Sequence, residues 1–236
     1  MRKVILFMHV SLDLDGFLAG PKGESGWTVT DEEMTNDLLA DLIRTADTVL
    51  LGRVAYQELA TGWPSVASNP SSSKAEVAFA HWISQAPKIV FSKTLEKVEW
   101  QHSRVVKGNI AEEIATLKQQ EGKDLVLFGG VSMAQTFIQR DLIDEYRLVV
   151  HPVVLGRGKP LFQALKNRIP LKLVKTKTFN SGAVVLSYQK ASKEGDNSHG
   201  KSSEGVCLSQ ETKVFFRQGK RRVGAAAAQR SSREAR

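Results

Sequence analysis

Short apolar runs alternate with amphipathic segments through the first 190 residues, and this alternation constrains the fold more than any other feature of the chain. Apolar runs of this length read as buried strands, and the 3.6-residue periodicity between them reads as helices laid on a sheet. Strands are expected at 3–10 (KVILFMHV), 48–52 (TVLLG), 88–92 (KIVFS), 103–108 (SRVVKG), 124–130 (DLVLFGG) and 146–156 (YRLVVHPVVLG). Helices are expected at 30–47, with Thr30 or Asp31 near the cap, at 75–85, at 109–122 behind Asn109, and at 131–142. The ending differs: 171–179 and 183–190 are two runs joined by Asn180, Ser181 and Gly182, the mark of an antiparallel hairpin. A mostly parallel α/β sheet closed by a C-terminal hairpin is the expected architecture. SNPSSSK (68–74) reads as a surface loop.

Composition sets the boundaries. With 42% hydrophobic and 25% charged residues, a chain of 236 can bury one substantial core, so one domain over 1–190 is expected. The net charge of +8 is unevenly spread: residues 191–236 hold 10 Lys/Arg against 5 Asp/Glu. That basic tail is rich in Ser, Gly, Lys, Arg and Ala, with VFF as its apolar cluster, and is expected to be disordered. A nucleic-acid arm is conceivable there in KVFFRQGKRR, so a non-catalytic nucleotide-binding or nucleic-acid-binding protein is the alternative reading. Cys207 is the single cysteine, which excludes a disulfide framework and points to a reducing, cytoplasmic setting. No run approaches the length of a membrane span, and the opening MRKVILFMHV, followed by acidic SLDLD, reads as a first strand rather than a signal peptide.

The chemistry concentrates where strands are expected to end. In LFGGVSMAQ, a strand runs into Gly129 and Gly130, and Val131, Ser132 and Met133 open a helix. Unpaired N–H groups at the positive end of a helix suit a phosphate, although a glycine pair also serves a plain corner. Gly52 and Arg53 stand at a second strand exit, and Ser92 and Lys93 at a third. Arg53 with Ser92 or Lys93 suits a phosphate monoester such as the one that distinguishes NADP from NAD. The loop 11–27 carries Asp13, Asp15, Gly16, Phe17, Ala19 and Trp27, and reads either as a mobile flap over a site or as a long exposed loop. Asp31, Glu32 and Glu33 can bind an amino-pyrimidine or supply a proton, or serve only the helix dipole. The G-x-G-x-x-G fingerprint, a complete P-loop, the G-x-S-x-G elbow and metal-ligand histidine spacing are all absent.

The ordered set KVILFMHVSLD, DGFLAGPKG, VLLGRVAYQ and LFGGVSMAQTFIQRDLIDEYRLVVHPVVLGRGKPLF resembles the dihydrofolate-reductase-like superfamily, over about residues 3–190. The resemblance is to the reductase half of the bifunctional riboflavin-biosynthesis deaminase/reductase and its free-standing homologues. It implies a three-layer α/β fold, NADPH as hydride donor, a small heterocyclic substrate and commonly a homodimer. The substrate implied is a riboflavin precursor of the 5-amino-6-(5-phosphoribosylamino)uracil kind, or dihydrofolate. It further implies that Gly129, Gly130, Val131, Ser132 and Met133 hold the pyrophosphate, that Gly52 and Arg53 with Ser92 hold the adenosine and phosphate end, and that residues 15–20, including Gly16, Phe17 and Ala19, border the nicotinamide. Asp13, Asp15 and Glu32 are then candidate proton donors, and Trp27 and Asp31 candidate substrate contacts. Two departures stand out. SLDLDGF is two residues longer than the usual SLDGF, leaving Asp13 or Asp15 as the family aspartate, and Ala55 stands where threonine is common.

Overall fold

The computed structural model describes residues 1–29 and 31–191, except for the side chains of residues 8–12. The tail from 192 onward, with Cys207, and Thr30 as a helix cap lie outside the described residues. In chain order the elements are β1 Val4–Leu12, β2 Phe17–Ala19, α1 Glu32–Thr45, β3 Ala46–Gly52, α2 Arg53–Val66, α3 Lys74–Gln85, β4 Lys88–Phe91, β5 Ser103–Val106, α4 Ile110–Gln119, β6 Asp124–Phe128, α5 Val131–Gln139, β7 Glu145–Val150, β8 Lys159–Pro160, β9 Leu171–Thr178 and β10 Val184–Lys190.

Eight strands form one sheet in the order β5-β4-β3-β6-β1-β7-β10-β9, parallel from β5 to β7, with β10 antiparallel to both its neighbours. The strands are apolar on both faces because helices cover both. On β3, Leu50 packs with α4 and α5 through Ile114, Leu117, Ala134 and Phe137, while Val49 and Leu51 face α1, α2 and α3 through Leu38, Leu42, Tyr56 and Phe79. This is the three-layer, mostly parallel architecture with a C-terminal antiparallel hairpin, and the hairpin turn falls between Thr178 and Val184.

Several expected boundaries move, the helix over 30–47 ending at Thr45 and that over 131–142 at Gln139 among them, and two further shifts have a local cause. The run 146–156 ends its ladder at Val150, because Pro152 has no N–H to donate to a neighbouring strand. β1 reaches Leu12 and carries two more residues than β7 between the pairs Met8↔Leu148 and Leu12↔Val150. The extra length in SLDLDGF is thus taken up by an irregularity near the end of β1.

Lys88 closes the lower end of β4 in a way that its run KIVFS does not disclose. Its side chain is fully buried, and Nζ donates to the carbonyls of Ile83 (2.7 Å), Ser84 (3.2 Å) and Ala86 (2.7 Å), with the Trp100 ring centroid 4.5 Å away. An ammonium therefore terminates α3 in place of a glycine cap, satisfying carbonyls that would otherwise be orphaned. Burial pushes the Lys88 pKa down to about 8, so native Lys88 releases its proton earlier than the unfolded chain does. Its contribution is present in full above the unfolded value of 10.5 and is lost as pH falls through about 8. Tyr146 acts the other way: burial, with help from Asp141 and Asp144, raises its pKa to about 12, so its contribution is lost at higher pH. Lys88→Met is expected to cost about 2 kcal/mol in urea unfolding at pH 7 by orphaning those carbonyls. Between pH 8 and 10 the wild type is expected to gain stability relative to this variant; a pH-independent difference would show that Lys88 titrates normally.

Candidate active site

Parallel strands leave their carboxyl ends along one edge of the sheet, and that edge gathers the candidate residues. The exits of β4, β3, β6, β1 and β7 lie there in that spatial order. Gly52, at the end of β3, faces the first turn of α5: a Cβ at Gly52 would stand 3.4 Å from Met133 Cε. Gly129 is needed for close approach, since its Cβ would lie 3.2 Å from the Ala134 nitrogen, whereas a Cβ at Gly130 would meet open space.

Helix caps divide the five helices into two kinds. Asp31 caps α1, Ser73 caps α3 in a capping box with Glu76, and Asn109 caps α4. The other two, α2 and α5, have Gly52 and Gly130 at the N-cap and no side-chain cap bond. Both leave strands that end at this crevice. Met133 and Ala134 donate to the Gly130 carbonyl at 3.0 and 3.1 Å, so the helix begins tightly and its earlier amides face outward. Arg53 and Lys93 are exposed, and Arg53 Nη1 lies 3.5 Å from Gln57 Oε1 on its own helix. Ser92 Oγ accepts from the amides of Thr94 (3.2 Å) and Leu95 (3.0 Å), which orders the turn after β4 and leaves its hydroxyl hydrogen to donate.

The loop after β1 is fastened rather than loose over its first half. Asp13 is 2% exposed; Oδ1 accepts from Phe17 N at 2.7 Å and Oδ2 from Leu155 N at 2.8 Å. Asp15 accepts from the next amide, Gly156 N, at 2.8 Å. Leu14 N donates to Val153 O (2.9 Å), Leu161 N to Gly16 O (3.1 Å), and β2 pairs with β8. Gly158 permits this contact, because a Cβ there would come within 2.4 Å of the Ala19 carbonyl. Gln135 on α5 holds the far side, donating to Pro160 O at 2.7 Å. The segment 156–161 is therefore the seat of the loop, and the open part is reduced to residues 20–27.

This geometry gives three of the candidate residues structural surroundings that the sequence does not disclose. Asp13 has both carboxylate oxygens engaged by part-buried backbone amides and anchors backbone. Asp31 is the cap of α1, accepting from Met34 N (2.6 Å) and from Ser181 N in the hairpin turn (3.2 Å); bonding from Ser181 and Met34 holds its carboxyl below the usual range. It therefore joins α1 to the β9–β10 turn. Glu32 is exposed in the first turn of α1, where its charge suits the helix dipole, and no contact brings it to the strand exits. Trp27 is brought in: its ring meets the buried His151 edge-on, with centroids 5.9 Å apart at 87°. His151 Nδ1 accepts from Val29 N at 3.0 Å, and so ties the end of the loop to the exit of β7. Sequence reading did not single out His151; its position just before Pro152, at a strand end, is the available signal. Among the described residues no group of three or more His, Cys, Asp or Glu is placed to hold a metal ion, and no helix is long and apolar enough to cross a membrane.

Residues 2–185 match the model of the RibD C-terminal domain. The chain belongs to that family. Within Bacillus subtilis (strain 168), it is 39% identical over 187 residues to the uncharacterized protein YyaP, covering 79% of this chain and 94% of that one. It is 31% identical over 190 residues to the uncharacterized protein YwjB, covering 80% and 99%. Among solved structures, a putative riboflavin biosynthesis protein from Shewanella sp. PV-4 superposes with a TM-score of 0.54 at 22% identity, over 81% of this chain and all of the other. The deaminase/reductase of Thermotoga maritima superposes at 0.55 and 17% identity, over 80% of this chain and 57% of that longer one. Dihydrofolate reductase from Enterococcus faecalis, complexed with NADP(H), gives 0.50 at 16% identity over 81% of this chain and 97% of the other. The fold is dihydrofolate-reductase-like, with the RibD C-terminal domain as its family.

The clamp at the β1 exit makes a direct prediction. Asp13→Ala leaves the Phe17 and Leu155 amides without an acceptor and is expected to lower unfolding stability by about 3 kcal/mol. Asp15→Ala, at an exposed position, is expected to cost about 1 kcal/mol or less. Equal losses in chemical denaturation would contradict the buried-anchor role.

Proposed function

We propose that the chain is an NADPH-dependent reductase that transfers hydride to a small heterocyclic substrate related to the riboflavin precursors or to pterins. The observation that carries this reading is the pair of helix N-termini at Gly52 and Gly130, free of side-chain caps and set against each other at adjacent strand exits. Two such termini favour a doubly charged, bridging ligand such as a pyrophosphate.

The residues fit the cofactor at each point tested. The open space above Gly130 admits phosphate oxygens to the α5 amides, and the Cβ-free Gly129 lets strand and helix close beneath them. Arg53, Lys93 and the Ser92 hydroxyl gather at the β3 and β4 exits, where a 2′-phosphate would be recognised. Residues 15–19, held by the 156–161 seat, border the β1 exit, where the ring end would lie. When bound, NADPH supplies the hydride. The chain itself holds the reacting groups in register, through the clamped loop, and excludes water with residues 20–27 and Trp27. With Asp13 and Asp31 committed to amides, the proton reaches the substrate from water or from the exposed Asp15. Exposed Leu173 and Val174 on the edge strand β9 support action as a homodimer, and the lone cysteine supports a cytoplasmic setting.

Saturating NADPH is expected to raise the melting temperature of the full chain by several degrees, and NADH much less. Arg53→Ala is expected to weaken NADPH binding about tenfold and leave NADH binding nearly unchanged, the signature of a contact to the 2′-phosphate. Titration of intrinsic tryptophan fluorescence checks both, and binding of neither nucleotide would refute the reading.

A further inference from the structure

The two ends of the crevice differ in charge. Cations gather at the β3 and β4 exits as Arg53 and Lys93. At the other end the sequence has no Lys or Arg from residue 4 to 21, from 23 to 43, or from 148 to 156. These stretches supply the exit of β1, the loop after it, the start of α1 and the exit of β7. Lys22, Arg157 and Lys159, the nearest cations in sequence, are exposed, and Lys159 Nζ lies 3.2 Å from the Cβ position of Gly23, against the 20–24 turn.

What this end offers instead is aromatic and apolar. Phe128, the residue before the glycine pair, is half-buried at the end of β6; its ring meets Phe7 edge-on at 5.7 Å and Phe79 at 6.1 Å. Its side chain lies on the α1–α3 side of the sheet, the same side as Val29, which is tied to His151 beneath Trp27. Leu14 and Val154, 64% and 63% exposed, come from the neighbouring exits of β1 and β7, where Leu14 N bonds Val153 O. Of the carboxylates at hand, Asp13 and Asp31 are occupied by backbone amides.

We propose that the hydride acceptor is a planar, uncharged and unphosphorylated heteroaromatic ring that lies against the Phe128 ring. The proposal rests on the reductase reading and narrows it: the cations near this end are Lys22, Arg157 and Lys159 on exposed turns and Lys177, already paired with Glu33 and Asp37, whereas a bare bicyclic ring finds an aromatic wall. In the reaction, the hydride of NADPH adds to the carbon of a C=N bond and a proton from water adds to its nitrogen, giving CH–NH and NADP⁺. Leu14, part of the two-residue extension of the loop, would make the mouth apolar and so favour such a ring.

Calorimetric titration of the full chain, saturated with NADP⁺, compares two probes: 6-methyl-7,8-dihydropterin and 5-amino-6-(5-phosphoribosylamino)uracil. The dihydropterin is expected to bind at least about tenfold more tightly. Phe128→Ala, or Phe128→Leu if the alanine variant does not fold, is expected to weaken dihydropterin binding about tenfold while NADP⁺ affinity holds. Leu14→Lys, at an exposed position that folding tolerates, is expected to shift the preference about threefold toward the phosphorylated probe. Tighter binding of the phosphorylated probe, binding of neither probe, or a dihydropterin affinity indifferent to these variants overturns the inference while the reductase reading stands. Failure of the wild type to bind NADP⁺ overturns both.

Discussion

The buried carboxylate of Asp13 is the constraint on which the arrangement of the crevice depends. It lies where β1 ends, and its two oxygens take amides from two separate segments, Phe17 in the loop and Leu155 after β7. A buried carboxylate is tolerable when its lone pairs are satisfied by donors, and here both donors are backbone groups that would otherwise need partners of their own. The result is that the two central strand exits are joined by one side chain. β2 and β8, three and two residues long, are too short to hold together alone; they pair because Asp13 and Asp15 have already brought their flanks into register.

With those exits fixed, the rest of the edge is organised by what its helices lack. Three helices end in polar side chains that satisfy their own amides, and two do not. The difference is local chemistry: at positions 52 and 130 glycine gives up a capping hydroxyl or carboxylate, a loss of only a few tenths of a kcal/mol at each helix against Ser or Asp, and leaves amides open to an external anion. Gly129 has a separate packing duty against Ala134, so the two glycines of the pair do different work.

Most of the architecture was legible in the sequence because it is written in periodicity. Runs such as TVLLG and KIVF become strands buried on both faces, and Asn109 and Asp31 cap the helices they precede. What periodicity does not carry is where side chains far apart in sequence meet. Lys88 looks like a polar flank of a strand and is a fully buried helix terminator. Asp31 looks like an available acid and spans 150 positions to the Ser181 amide. Phe128 looks like one more strand hydrophobe, and only its aromatic neighbours, Phe7 from β1 and Phe79 from α3, show which side of the sheet it serves. Strand exits can be read from sequence, and so can the glycines and basic residues that stand at them; the bonding of the carboxylates cannot, because residue type alone does not tell a free acid from one already bonded to backbone.

The extended SLDLDGF segment shows how a longer loop can leave a site intact. An insertion in a strand would normally reverse the faces of every residue that follows, but two residues preserve the alternation, and the irregularity between Met8 and Leu12 keeps the pairing of Ile5 through Met8 unchanged. The second aspartate then finds a partner in Gly156 N, next to the amide held by the first. Two carboxylates on consecutive amides hold the 155–156 turn more firmly than one. Between them Leu14 has no such bond for its side chain and is left exposed at the exits of β1 and β7. The longer segment thus leaves the sheet beneath it undisturbed, since its second carboxylate is absorbed by the clamp and Leu14 faces outward.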